Sequence, residues 1–240
     1  MLVLAGLHGD LVLGGLFYDA AAGSWIGRGR FWAETLVHDG GAVAVRVIGL
    51  AALLAWTLGW RVARLAPYRR TLGYFVLALA LSNGVAGVLK RITNVDCPWD
   101  LEPFGGAFPY VPLLADRPDS LRHAACFPGA HSASGFALLA LYFVWRDCAP
   151  RKAWLGLAIG LGTGGVFAFA QQARGAHFLS HDLTSAALAW TVSLVLYALY
   201  QSRSTTLPAL RPASRYSTAS AAASRPTNGV GSTSARTSPR

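Results

Sequence analysis

Little of this sequence is charged: Asp, Glu, Lys and Arg make up 13% of its 240 residues, against 53% hydrophobic ones. A water-soluble domain of this length needs far more polar surface, so the shortage excludes an ordinary soluble class and points to the membrane. Acids are the scarcer sign, 11 against 21 basic residues, and residues 203–240 hold six arginines and no acid at all. The first 202 residues therefore keep fifteen basic against eleven acidic side chains, a net of +4, and most of the formal +10 belongs to the tail. A charge so placed does not call for a nucleic-acid partner. The tail also lacks apolar periodicity, being rich in Ser, Ala, Thr, Pro and Arg, and is expected to be disordered and weakly attracted to anionic lipid heads. The opening MLVLAGL lacks the basic region and long apolar core of a secretory signal and is too short to span. Either a fuller first helix is truncated there, or residues 1–17 lie along the interface.

What the sequence does have is apolar runs, at about 42–60, 71–89, 132–145, 153–170 and 183–200. Most approach the ~20 residues that carry a helix across ~30 Å of hydrocarbon. The fold class read from them is all-α: a polytopic transmembrane helical bundle with five clear spans and a possible truncated or interfacial first helix. The run from Ser132 is short, only ~21 Å at 1.5 Å per residue, so its first turn is expected in a polar pocket at the membrane boundary. The organisation that follows is an interfacial segment 1–41, a membrane-embedded domain 42–202 and the tail 203–240. Glycines 160, 162, 164 and 165 resemble a phosphate loop only superficially; inside an apolar run they suit close helix packing.

Orientation follows from the basic loops. Arg61, Arg64, Arg69 and Arg70 lie in one linker, Arg146, Arg151 and Lys152 in another, and six arginines in the tail. Alternating spans put all three on one side, which is then cytoplasmic. Residues 1–41, the long loop 90–131 and the short loop 171–182 share the opposite face, and with them His131 and His177.

Three polar islands lie on that face. In LKRITNVDCPWDLEPFGG, Lys90 and Arg91 suit an anion clamp, although interfacial anchoring at a helix end is the commoner use of such residues. In CFPGAHSASGF, Pro128 and Gly129 suit a turn into a helix starting near His131, whose free backbone N–H groups at Gly129 and Ala130 can receive an anion. In QQARGAHFLSHDL, Arg174 has the donor fork for a tetrahedral anion. His177 can attack or shuttle protons, and either His181 or Asp182 can fix its tautomer. Histidine titrates nearest neutrality of all side chains, so two of them on one face suggest proton transfer or nucleophilic chemistry. A metal site on His177 and His181, at i, i+4 spacing, is the competing reading. The chain lacks an HExxH pattern or a carboxylate-rich run beside them, and Arg174 would repel a cation, so no metal or other cofactor is expected.

In order and spacing the islands resemble the type 2 phosphatidic acid phosphatase superfamily of membrane lipid phosphatases. Its pattern is a Lys, six residues and Arg-Pro; then Pro-Ser-Gly-His; then Ser-Arg followed by His and, four residues on, Asp. Lys90 and Pro98 match the first motif, His131 the histidine of the second and His177 that of the third, over roughly residues 40–200. Cys97 stands in place of the first motif's Arg, Gly129-Ala130 in place of Ser-Gly, Gln171 in place of the third motif's Arg, and His181 where Asp is expected. Arg174 and Asp182 are nearby substitutes, and the departures look like the signature of a bacterial branch.

The resemblance implies a phosphohistidine on His177, with His131 protonating the leaving oxygen. Lys90, Arg174, Gly129 and Ala130 would hold the phosphoryl oxygens. It implies a phosphorylated lipid substrate, a monoester or pyrophosphate, met at the periplasmic face of a bacterial inner membrane. A lipid phosphotransferase of the same fold and a catalytically silent transport or scaffold protein are the rival readings, and oligomeric state is not written in the sequence. Cys97 and Cys126 fall on that oxidising side, where they are expected to form a disulfide joining the first island to the second, whereas Cys148 falls in a cytoplasmic linker.

Overall fold

The structure is a computed structural model and describes residues 9–205 other than 114. The residues expected to be disordered lie outside the described residues from 206 onward, as does the opening stretch 1–8. A short helix α1 (Gly9–Gly15) and a two-residue hairpin, β1 (Tyr18–Asp19) antiparallel to β2 (Ser24–Trp25), precede the bundle. Helix α2 (Trp32–Leu58) starts as a π-helix over Trp32–Gly40 and continues as an α-helix over Gly41–Leu58. A 3-10 turn at Ala66–Tyr68 leads into α3 (Arg69–Ile92). Helices α4 (Ala130–Phe136) and α5 (Ala140–Arg146) are joined by one 3-10 turn, and α6 (Pro150–Ala173) and α7 (Leu179–Thr205) complete the bundle. Pro150 opens α6, where its missing N–H has no intrahelical partner to lose and its fixed φ favours the first turn.

Four segments are long and apolar enough to cross a membrane: Trp32–Leu58, Ala66–Ile92, Pro150–Ala173 and Leu179–Ser202. The run at 132–145, the shortest of the five expected spans, falls below the length of those four and forms α4 and α5 end to end, buried throughout Gly135–Ala140. The first span begins at Trp32 rather than at residue 42. Glu34, His38 and Asp39 make that stretch look like a polar loop in the sequence, yet they occupy the first turns of a membrane helix.

Close approach of α6 to α4 and α5 rests on glycine. Gly156, Gly160 and Gly164 recur once per turn, and a Cβ at any of them would collide with Leu141, Leu139 or Phe136 respectively. Gly162 and Gly165 face open space, so only part of the glycine run packs helices. The main core joins Ala52 of α2, Tyr74, Phe75, Ala78 and Leu79 of α3, and Leu138, Ala140 and Phe143 of the central pair. Tyr74 is the polar member of this core, and its hydroxyl donates to the Ser193 carbonyl at 3.0 Å.

A second cluster, Trp25, Leu101, Phe104 and Phe178, seals the bundle end that carries the long loop 93–129. That loop is closed by a Cys97–Cys126 disulfide with a Cα separation of 5.2 Å, the pairing expected from the sequence. Loop-closure entropy makes a cross-link over about 30 residues worth ~3–4 kcal/mol. Arg117 grips buried Asp96 through two guanidinium nitrogens and also donates to the Arg122 carbonyl at 3.1 Å, bracing the same loop. Asp10 of α1, itself buried, accepts the Ser180 N–H at 3.1 Å and so caps the first turn of α7, where a carboxylate favours the helix dipole.

Candidate active site

The three islands meet at one end of the bundle through the backbone. Trp99 N–H donates to the Gly175 carbonyl at 2.9 Å, Cys126 N–H to the Val95 carbonyl at 3.0 Å and Gly129 N–H to the His181 carbonyl at 3.4 Å. Thr93 Oγ1 donates to the Phe127 carbonyl at 2.5 Å, and Ser185 Oγ to the Gly129 carbonyl at 2.8 Å. The disulfide extends the contact, since Cys126 Sγ lies 2.9 Å from the Ala176 carbonyl oxygen. Gly175 supplies the turn between α6 and α7 with a φ of +75°, and a Cβ there would overlap the Trp25 indole. A side chain at this position is thus excluded twice, by backbone conformation and by space.

His177 sits just before α7, 3% exposed, and its Nδ1 lies 2.8 Å from Asp182 Oδ1. Asp182, 2% exposed, also accepts from Gln172 Nε2 at 2.8 Å on its other oxygen. A carboxylate on Nδ1 fixes the tautomer with the proton there and leaves the lone pair on Nε2. The choice left open by the sequence therefore falls on Asp182. His181, whose ring centroid is 6.0 Å from that of His177, packs edge-on to Phe127 and Phe178, and its Nδ1 has no hydrogen-bond partner among the described residues. Because His177 precedes the helix and His181 lies inside it, the i, i+4 spacing does not place them on one helix face. Among the described residues, no three His, Cys, Asp or Glu side chains converge as metal ligands would.

Gly129 closes one side of the His177 ring. A Cβ there would lie 2.6 Å from the His177 ring and equally close to Ser132 Oγ, so the His177 ring rests on bare backbone at the start of α4. Ala130 opens α4, and two residues after Gly129 comes His131, its ring stacked on Phe167 at 4.3 Å and within electrostatic range of His177 and Arg174. Arg174 is positioned by Gln171, whose Oε1 accepts from Nη1 at 2.5 Å. The residue occupying the expected arginine position thus steers the arginine three places later. Lys90, half-buried at the end of α3, interacts with His181. Arg91 is exposed beside it and shares none of the contacts, among the described residues, that unite the other site groups.

Three contributors escaped the sequence reading. Gln172 holds Asp182, and Glu34 approaches Arg174 at 3.7 Å while accepting the Gly29 N–H at 3.0 Å. His38 of α2 lies against His131, ring centroids 4.4 Å apart. The available signal was Glu34 and His38, four residues apart at the start of a largely apolar helix; it was hidden by placing the start of the span after them.

The described geometry brings a carboxylate-oriented histidine, a second histidine and an arginine to one polar end of a membrane bundle. Against family models, the chain matches the one described as the PAP2 superfamily over residues 71–205. Comparison with curated proteins and with solved structures gives no match.

Proposed function

The chain belongs to the PAP2 superfamily, whose phosphatase-type activity acts on phosphate esters, and from that premise we propose that it hydrolyses a lipid phosphate monoester or pyrophosphate through a phosphohistidine. The observation that carries the reading is the buried His177–Asp182 pair beside His131. His177 Nε2 attacks phosphorus, the bond to the leaving oxygen breaks, and His131 gives that oxygen its proton. Water then attacks the phosphohistidine, surrenders a proton to His131 and releases phosphate and free His177. Arg174, Lys90 and the backbone N–H of Ala130 stabilise charge on the phosphoryl oxygens, whereas the Gly129 N–H, expected to join them, is taken by the His181 carbonyl; Asp182 offsets the positive charge that develops on the attacking imidazole. This step list calls on no metal.

A lipid substrate is supported by the groove of about 690 Å³ between α2 and α3, lined by Val45, Gly49, Leu53 and Leu79 and reaching Ala130 and His131. A chain lying there would present its phosphate to the histidines while staying in hydrocarbon. The multi-pass architecture places the protein in a membrane, and the basic linkers support a bacterial inner membrane with the site facing the periplasm.

The test is phosphate release by the purified protein and a His177→Ala control from phosphatidic acid, phosphatidylglycerol phosphate, undecaprenyl pyrophosphate and lipid A. Release by the wild type from at least one lipid, lost in the control, is expected. Equal release by both proteins sinks the nucleophile assignment, and no release from any lipid sinks the function.

A further inference from the structure

Helix α2 brings a group to the site from outside the matched residues 71–205, namely His38. Its ring lies 4.4 Å from that of His131, and its Nδ1 is buried without a hydrogen-bond partner among the described residues. Two neighbouring atoms share that condition: His131 Nε2 and Arg174 Nε are likewise buried and lack a hydrogen-bond partner among the described residues. Glu34 is the closest anion to Arg174, but at 3.7 Å it lies beyond hydrogen-bond range of that nitrogen. Buried polar atoms are rarely left unpaired, because each costs about 1–3 kcal/mol when stranded. Here three nitrogens able to donate lack a hydrogen bond among the described residues, in one neighbourhood where His38 also interacts with Arg174 and His177.

Local backbone explains how His38 arrives there. In a π-helix each turn takes up more residues than in an α-helix, so residues four apart come nearly into line. Glu34 and His38 therefore share the face of α2 that meets Arg174 and His131. The same segment brings the Val37 backbone to the neighbourhood of the His131 ring. Sequence further along α2 returns to α-helix at Gly41, against which the Phe167 ring packs so closely that a Cβ would collide with it. Phe167 is also the ring stacked on His131, so the Gly41 contact and the His38 contact fix one assembly.

We infer that His38 is a direct ligand of the substrate phosphoryl group, donating a hydrogen bond from Nδ1 to the oxyanion that Arg174 also holds. This rests on the reading of the site as a phosphatase centre. His38 adds a donor that the matched segment does not contain, and Glu34 occupies the Arg174 guanidinium until an anion takes its place.

The experiment compares full-length wild type with His38→Asn, whose side-chain amide can donate from nearly the Nδ1 position, and His38→Phe, which keeps the ring and its packing but cannot donate. Two readouts are taken: kcat/KM on the lipid phosphate found to be cleaved, and calorimetric binding of inorganic orthovanadate. Formation of the Cys97–Cys126 disulfide and monodisperse elution qualify each variant as folded. A phosphate ligand predicts that His38→Phe loses at least tenfold in both readouts, and that His38→Asn recovers most of each. Wild-type values for His38→Phe in both readouts overturn the inference and leave the phosphatase reading standing. No lipid cleavage by any protein, with vanadate binding lost in His38→Phe, overturns the phosphatase reading and keeps His38 as an anion ligand. Wild-type vanadate binding by His38→Phe without lipid cleavage overturns both.

Discussion

At the scale of single residues, the site works by burying polar groups beside fixed partners. Asp182 is nearly inaccessible, holds His177 Nδ1 at 2.8 Å and is itself held by Gln172. His181 touches the same ring environment without bonding to His177. The two residues should therefore respond differently to substitution. Asp182→Asn is expected to lower kcat by about 10²-fold or more, because the carboxylate that selects the tautomer and offsets the imidazolium is gone. His181→Gln is expected to cost less than about tenfold, and steady-state kinetics on the cleaved lipid phosphate separate the two.

The same residues mark the limits of what the sequence discloses. The histidines, Arg174, Lys90 and the Gly129-Ala130 start of α4 were legible because each lies in a polar island bordering an apolar run. Choosing Asp182 over His181 was not, because it depends on how tightly the chain turns at Gly175 before α7 begins, and one residue of register changes which side chain meets His177. His38 and Glu34 were hidden for a related reason. Polar residues at the start of a membrane helix read as loop when the surface they face is a polar site rather than lipid.

At the scale of elements, the bundle was legible from apolar runs and their lengths, its short central run included. Gly160 and Gly164 let α6 press against Leu139 and Phe136 of that run. Between α2 and α3 packing is looser, and the groove there reaches His131. If it holds the lipid chain, filling it should weaken chain binding without touching the chemistry. Gly49→Leu is expected to raise KM for a long-chain lipid phosphate about tenfold with kcat retained, since the lost contact is made equally in ground and transition states. A water-soluble phosphate ester, which places no chain in the groove, should be hydrolysed with unchanged kinetics.

At the scale of the whole molecule, charge and topology argue together. The site residues, the disulfide and the aromatic cap around Trp25 gather at one end of the bundle. The short linker between α5 and α6 carries Arg146, Arg151, Lys152 and Cys148, and helix direction puts it at the other end. Cys148 is exposed and free, whereas the other two cysteines are bonded to each other, so it is a natural reporter of sidedness. A membrane-impermeant maleimide is expected to label the protein in inverted inner-membrane vesicles and to leave it unlabelled in intact spheroplasts. The opposite pattern would put the site on the cytoplasmic face and overturn the orientation drawn from the basic linkers.

The central claim is that a phosphoryl group passes through His177. The most direct measurement is rapid acid-free quenching of the protein during turnover of a ³²P-labelled lipid phosphate, followed by peptide mapping of the label. A base-stable, acid-labile phosphoryl group on His177, absent from His177→Ala, is the expected result. Turnover without any covalent label at times shorter than one catalytic cycle, or a label mapped to His131, would contradict it.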